Sequence, residues 1–190
     1  MGQHHGDLRR ALLAAALELV DDGVDPSLRA VARRAGVSAG APYHHFASKA
    51  DLLAEVATEG FEALAGEQAA VVADGADQLE TLVATYVRFA RSHRTHYRVM
   101  FSDVLTGPPS PGEERLQAVA AATFATLAAA VGAANPSLEQ TEAHRRARLI
   151  WSLAHGVIAL DPLRGPLGAR QAVVSPEEVG HTARTLAIAD

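Results

Sequence analysis

Apolar side chains recur along most of this chain with a period close to that of an α-helix. Between residues 8 and 20 they fall at Leu8, Leu12, Ala15, Ala16 and Leu19, one face of an amphipathic helix. Asp21, Asp22, Gly23 and the Asp25-Pro26 pair end it. Ser27 is suited to cap a second, two-turn helix with Leu28, Val31, Ala32 and Ala35 on one face. Gly36 then takes positive φ at no steric cost and turns the chain. Ser38 is expected to cap a third helix reaching Phe46, and Ser48 a fourth that starts near Lys49 and runs to about Val72.

After a break at residues 74–77, Leu79, Leu82, Val83, Tyr86 and Phe89 line a fifth helix, and residues 95–105 form a shorter sixth. Residues 106–112, TGPPSPG, read as a loop. An alanine-rich seventh helix follows over residues 113–131. Asn135-Pro136-Ser137 with Gln140 then spells a stop and a capping box. The eighth helix, residues 138–160, carries Ile150, Leu153, Ala154, Val157 and Ile158 on one face. Residues 161–174, rich in glycine and proline, are irregular. Ser175-Pro176-Glu177-Glu178 opens a last helix striped by Val179, Thr182, Ala183, Leu186 and Ala187. No segment reads as a strand and no repeat is present. The expected fold class is all-α, with about nine helices: a helix-turn-helix domain over residues 1–50 and a larger helical domain over residues 51–190.

Composition strengthens the helical reading, because forty of the 190 residues are alanine, the best helix former. Arginine outnumbers lysine sixteen to one, which coding bias explains without any function. With no cysteine there is no disulfide framework, thiolate metal site or cysteine nucleophile, as expected of a cytoplasmic chain. The first ten residues are polar, and no apolar run is expected to reach the roughly 18 residues that span a bilayer. The net charge of −5 argues against a polyanionic partner until its distribution is considered. Residues 27–50 hold Arg29, Arg33, Arg34 and Lys49 with no Asp or Glu, an island of +4 that leaves −9 elsewhere. The island coincides with the helix-turn-helix.

Within it, residues 36–53, GVSAGAPYHHFASKADLL, resemble the TetR family of bacterial transcriptional regulators. That family's pattern runs from a helix like residues 28–35 through Gly-Val-Ser and a recognition helix ending in Tyr-x-His-Phe to Ser-Lys-x-x-Leu-Leu. The resemblance covers about residues 7–56. Residues 96–101, HYRVMF, and Trp151 with His155-Gly156 resemble a C-terminal type of the family named for its Trp, His and Gly residues. The resemblance implies a DNA-binding head for a palindromic double-stranded operator and a lobe with a pocket for a small-molecule effector. It also implies a homodimer through the last two helices, paired as a four-helix bundle, and derepression when the effector changes the spacing of the heads. No cofactor or metal is implied.

The candidate DNA-binding residues are Ser27, Ser38, Ala39, Pro42, Tyr43, His44 and Lys49. Tyr43 and Lys49 look like phosphate contacts, whereas His44 is placed to reach a base edge. Ser27 and Ser38 stand at expected helix N-termini, where N–H groups and the dipole attract phosphate, although a plain cap explains each as well. Arg29, Arg33 and Arg34 are weaker candidates. Pro42 is tolerated only in a first helical turn, so the recognition element should begin near Ala41 or form a tight irregular turn. Its neighbours Ala39, Gly40 and Ala41 offer no long side chains, so specificity should lean on His44, backbone approach and DNA shape.

Tyr86, Phe89, Tyr97, Met100, Phe101, Phe124, Trp151 and His155 are the candidate effector-binding residues, with space-filling core as the alternative for each. Gly156 inside a helix points to a close approach, internal or between subunits. Solvated helix faces explain Arg88, Arg91, Arg94 and Arg98, and Arg145, Arg146 and Arg148, better than an anion site. Nine histidines raise the alternative of a helical enzyme, but H-E-x-x-H, P-loop and G-x-S-x-G motifs are missing. His93 with His96 lacks a third ligand, and His44 and His45 point about 100° apart on a helix. No enzymatic activity is expected. A helical protein-interaction adaptor that has lost DNA binding is the other alternative, and the basic island opposes it.

Overall fold

The computed structural model describes residues 3–74, 78–102, 111–160 and 174–189. Among the described residues there are eight α-helices, one 3₁₀ turn and no strand: α1 (Gln3–Asp21), α2 (Leu28–Arg34), the 3₁₀ turn (Ala41–His44), α3 (Lys49–Asp74), α4 (Gln78–Ser92), α5 (Arg94–Met100), α6 (Pro111–Ala134), α7 (Gln140–Ala159) and α8 (Pro176–Ile188). The all-α expectation holds, with eight helices in place of nine. The difference lies at the expected third helix, which is only the 3₁₀ turn. Pro42 has no N–H to donate and its ring excludes a preceding helical turn, so i+3 contacts replace a helical ladder. Ala41 N–H donates to the Ser38 carbonyl at 3.0 Å, Tyr43 to Gly40 at 3.2 Å and His45 to Pro42 at 2.9 Å.

Two further boundaries move. α5 stops at Met100 rather than continuing past residue 102, and residues 103–105 of that expectation lie outside the described residues. The capping box at Ser137 does not form, and α7 begins at Gln140 with Glu139 as its uncapped first flank. Asn135 Oδ1 instead accepts from the Ser137 hydroxyl at 2.6 Å and from its N–H at 3.3 Å, so the local side-chain turn competes successfully with the cap. Pro111 and Gly112, read as loop, open α6. The rest of that loop, residues 75–77 of the expected break and residues 161–173 of the irregular stretch fall outside the described residues.

The chain divides into two compact units, residues 1–62 with 93–120 and residues 63–92 with 121–190. In the first unit, Leu12, Leu13, Ala16 and Leu19 of α1 are buried with Leu28, Val31 and Ala32 of α2 and with Phe46, Leu52, Leu53 and Val56. Thr95 at the start of α5 donates to Asp21 at 2.8 Å, which fixes the end of α1. Gly60 allows α5 to lie close on α3, because a side chain there would press on Met100 and His96.

In the second unit α8 packs most extensively on α4 and also on α7. Leu79, Leu82, Val83, Val87 and Phe89 of α4 are buried there, as are Val179, Ala183 and Ala187 of α8 and Ala147, Ile150 and Ala154 of α7. Gly180 is required at this crossing, since a Cβ would collide with the backbone carbonyl of Glu80. Several arginines of α4 and α7 are engaged within this unit. Arg88 pairs with Glu177 at 2.7 Å, and Arg91 donates to the Val174 carbonyl at 2.9 Å. Arg146 donates to the carbonyls of Ala187 at 2.9 Å and Ala189 at 2.6 Å, satisfying the C-terminus of α8 with a cation. Glu142 holds Arg146 and Arg145 in place, and their hydrogen bonds bring its carboxyl down to about 2.

Residues Gly112–Ala134 are long and apolar enough to cross a membrane by length and composition, contrary to the expectation that no segment reaches that length. Alanine content produces the property. Ala118, Ala121, Ala122, Ala125, Ala129 and Ala133 are exposed, while Leu116, Leu127 and Val131 are buried.

Candidate functional site

The basic island lies in the first unit, with Arg29, Arg33, Ser38, Tyr43 and His44 exposed. Ser27 caps α2, its hydroxyl accepting from the Ala30 N–H at 3.3 Å. α2 ends in a complete glycine-terminated motif: Gly36, at φ +70°, donates to the Arg33 carbonyl at 3.3 Å, and Val37 donates to Ala32 at 3.0 Å. The chain then presents Ser38 and Ala39, both exposed, and enters the 3₁₀ turn. Pro42 is buried and anchors that turn, so Tyr43 and His44 are turned outward, Tyr43 to 55% exposure. The turn's first flank is Gly40 and no side chain caps it. Ser38 therefore does not stand at a helix N-terminus, and the phosphate-binding dipole expected there is not formed. Ser48 does cap α3, accepting from the Asp51 N–H at 3.0 Å, which sets Lys49 at the first position of a 26-residue helix.

The charges of the island are arranged by acids outside it. Lys49 Nζ is paired with Asp25. Arg34 is bound by Asp22 at 2.7 Å and Glu18 at 3.3 Å. Arg29 and Arg33 are exposed and have no ion-pair partner among the described residues. They stand four residues apart on α2, so they share one helix face. Their i, i+4 spacing was the signal for this face. Nothing in the sequence says which arginines the acids of α1 and of the following turn occupy.

Behind this surface lies an ionic node. Glu55, 8% exposed, receives Arg9 on both carboxylate oxygens at 2.9 Å and Arg115 on Oε1 at 2.9 Å. Arg115 also holds Glu62 at 2.7 Å. The node ties α1 and α6 to α3. Hydrogen bonds from Arg9 hold the Glu55 carboxyl below its ordinary value against its own burial. One turn on, burial and the Glu55 charge push Glu59 the other way. Arg9 also lies over the Phe46 ring, 5.5 Å from its centroid.

The effector-binding candidates separate into two groups. In the second unit, Tyr86 Oη lies 2.7 Å from His155 Nδ1, with the rings stacked at 5.6 Å. Trp151 is 4.4 Å from His155 between centroids, and Phe124 meets Trp151 edge-on at 6.3 Å. Arg148 covers the Phe124 ring at 5.7 Å. Burial pushes His155 below the ordinary histidine value, partly opposed by a hydrogen bond to the Trp151 backbone. Phe89 is fully buried. Tyr97, Met100 and Phe101 belong to the first unit, where Phe101 meets Phe61 at 5.7 Å and Tyr97 at 4.9 Å. One interior polar group escaped the sequence reading: Gln68 of α3 is 5% exposed, and its Oε1 has no hydrogen-bond partner among the described residues. No spacing singles it out.

A helix-turn-helix with a basic, outward-facing tip, followed by a helical lobe with an aromatic interior, defines a class of DNA-binding regulators. The family model of tetR-family bacterial regulatory proteins matches residues 12–56, and that of the tetracyclin repressor-like C-terminal domain matches residues 79–186. The chain belongs to the TetR family of transcriptional regulators. The second match spans Trp151, His155 and Gly156.

Among solved structures, a protein of unknown function from Rhodococcus sp. RHA1 is 29% identical, with a TM-score of 0.75 over 98% of this chain and 97% of that one. A TetR-family transcriptional regulator from Bordetella parapertussis 12822 is 18% identical, with a TM-score of 0.68 over 99% and 95%. The multidrug-binding protein EbrR, solved in complex with imidazole, is 21% identical, with a TM-score of 0.60 over 94% and 93%. No curated protein matches the chain.

Proposed function

We propose that this regulator is a repressor that binds a palindromic operator as a homodimer and is released by a small-molecule effector. The observation that carries the DNA-binding half is the exposed tip formed by Tyr43 and His44 on a buried Pro42, flanked by Arg29, Arg33 and Lys49. Tyr43 and Lys49 contact phosphate, with Ser27 at the capped N-terminus of α2 and Ser38 and Ala39 allowing close backbone approach. His44 reads a base edge. Two heads on a two-fold axis fit half-sites roughly 34–36 Å apart or a multiple of that. The chain works in the cytoplasm, where the DNA is, as a binding protein without catalysis.

The dimer face runs along α7 and α8. Leu149, Ser152, Gly156 and Leu160 follow one another at three- and four-residue steps, with Leu149 at 54% and Leu160 at 69% exposure, and Leu186 of α8 is exposed at 45%. Among the described residues a Cβ at Gly156 meets nothing within 4 Å, so no described helix of the same chain calls for the glycine. A second subunit does.

The effector enters the second unit, against Trp151, Phe124 and the Tyr86–His155 pair. Gln68 of the same unit, whose buried Oε1 has no hydrogen-bond partner among the described residues, is a further candidate for a donor on the ligand. The aromatic lining and the depressed histidine favour an uncharged, flat molecule with a hydrogen-bond donor. The binding of imidazole by EbrR is consistent with a small aromatic heterocycle. Tyr97, Met100 and Phe101 of the first unit are the remaining candidates.

The test is fluorescence anisotropy on DNA from the chain's own upstream region and on a scrambled duplex, across a salt series. Preferential, salt-sensitive binding by two chains per site supports the reading, and the same complex then serves to screen for releasing molecules. Equal, weak binding to both duplexes favours the adaptor reading.

A further inference from the structure

The structure places an acid of the α1–α2 corner directly on the cation that the DNA-binding reading assigns to a phosphate. Lys49 stands at the start of α3, and its ammonium is paired with the carboxylate of Asp25, twenty-four residues earlier. The position of Asp25 is fixed by its neighbours. Gly23, at φ +72°, closes α1, with its N–H on the Val20 carbonyl at 3.1 Å and that of Val24 on Leu19 at 2.8 Å. Pro26 is buried, and the Ser27 N–H donates to the Asp25 carbonyl at 2.9 Å immediately before Ser27 caps α2. The Asp25 side chain, 66% exposed, has little freedom of backbone and is paired with Lys49.

A carboxylate and a DNA phosphate are the same kind of ligand to an ammonium: both offer anionic oxygens that accept its N–H donors. We propose that Asp25 is an affinity-limiting residue of the DNA-binding face, occupying Lys49 in the free protein so that a phosphate must displace it on binding. The proposal rests on the DNA-binding reading given above. Arg34, held by Glu18 and Asp22, is occupied in the same way, whereas Arg29 and Arg33 are open to the duplex. Encounter with DNA therefore relies on Arg29 and Arg33, and Lys49 engages only in a complex close enough for a phosphate to replace the Asp25 carboxylate.

The experiment is anisotropy of the full chain with a labelled duplex of arbitrary sequence at low salt, which needs no knowledge of the operator. Asp25→Asn keeps the side-chain shape and removes the charge. It is expected to tighten binding about two- to fivefold, the range of an exposed ion pair. Lys49→Gln is expected to weaken binding and lower the salt slope by about 1. In the Lys49→Gln background the gain from Asp25→Asn should shrink to near one. Asp25→Ser serves as a second variant, and thermal unfolding shows whether each is folded. No gain from either Asp25 variant overturns the proposal, as does an equal gain with and without Lys49, which would be plain removal of negative charge. Those outcomes leave the DNA-binding reading standing. Salt-insensitive or undetectable binding by the parent protein sinks both.

Discussion

The Tyr86 hydroxyl and His155 Nδ1, 69 residues apart in the chain, lie 2.7 Å from each other, with their rings stacked at an interplanar angle of 23°. This pair joins α4 to α7 with a polar contact inside an aromatic cluster, and it makes the second unit sensitive to protonation.

Burial lowers both His155 and His96 from their ordinary value of 6.5. The unfolded chain takes up protons on these rings as pH falls below that value, while the folded chain resists. Their contribution to stability is therefore complete above 6.5 and is lost as pH drops toward the lowered values. The thermal midpoint should fall between about pH 7.5 and about pH 5.5, and His155→Gln should flatten that slope. Tyr86→Phe should cost about 1 kcal/mol in a denaturant titration. An unchanged midpoint across this range would show that neither ring is shielded.

The two carboxyls of the ionic node should respond in opposite directions. Glu55→Gln removes the charge that Arg9 and Arg115 share and is expected to cost about 1–3 kcal/mol, because hydrogen bonds to a largely buried charged group are lost. Since Glu55 is held below its ordinary 4.5, its stabilisation is present above that value and disappears as pH falls through the lowered one. Glu59 is raised by burial and by Glu55, so Glu59→Gln should stabilise the protein at neutral pH. Urea unfolding of both variants at neutral pH checks the pair. Losses of the same sign and size would contradict it.

Two glycines should divide by their surroundings. Gly180→Ala drives a methyl into the Glu80 backbone and should destabilise by about 1–3 kcal/mol as overpacking. Gly156→Ala meets open space and should gain up to about 1 kcal/mol of helix propensity within one chain. If α7 packs on a partner there, the same change should weaken the dimer. Sedimentation over a concentration series separates the outcomes, and an unaltered dimer constant would remove Gly156 from the interface.

On the DNA face, His44→Ala should relax preference at one operator position by about 1–3 kcal/mol if the imidazole reads a base. A uniform loss at every sequence would make it a positioning residue. Binding measured against a set of single-position operator variants distinguishes the two.

Gln68 has a buried oxygen that nothing among the described residues satisfies. Gln68→Met should therefore raise stability by about 1–3 kcal/mol, the cost of leaving such a group unpaired, while weakening any effector that uses it. A loss of stability would mean that the amide is already satisfied.

How much of this was legible beforehand follows from range. Ser27, Ser48 and Ser175 were readable as caps because a cap is a contact across three residues, and Gly36 as a helix stop because only glycine takes its φ of +70° cheaply. Ser137 misled because two local hydrogen-bonding solutions compete there and Asn135 supplies the better one. The recognition element is a tight 3₁₀ turn starting at Ala41, as Pro42 required, whereas reading Ser38 as a cap had pointed to a helix reaching Phe46.

The sequence by itself determined the helices, most of their ends, the basic island and the family, since periodicity, caps and an eighteen-residue motif are all written in neighbouring positions. Only the tertiary structure decided which acids reach Lys49 and Arg34, which leave Arg29 and Arg33 open, and that Tyr86 meets His155 while Phe101 meets Phe61. Charge pairing and ring contact depend on distances through space, and the chain brings together residues 16, 24 and 69 positions apart without marking them in its local pattern.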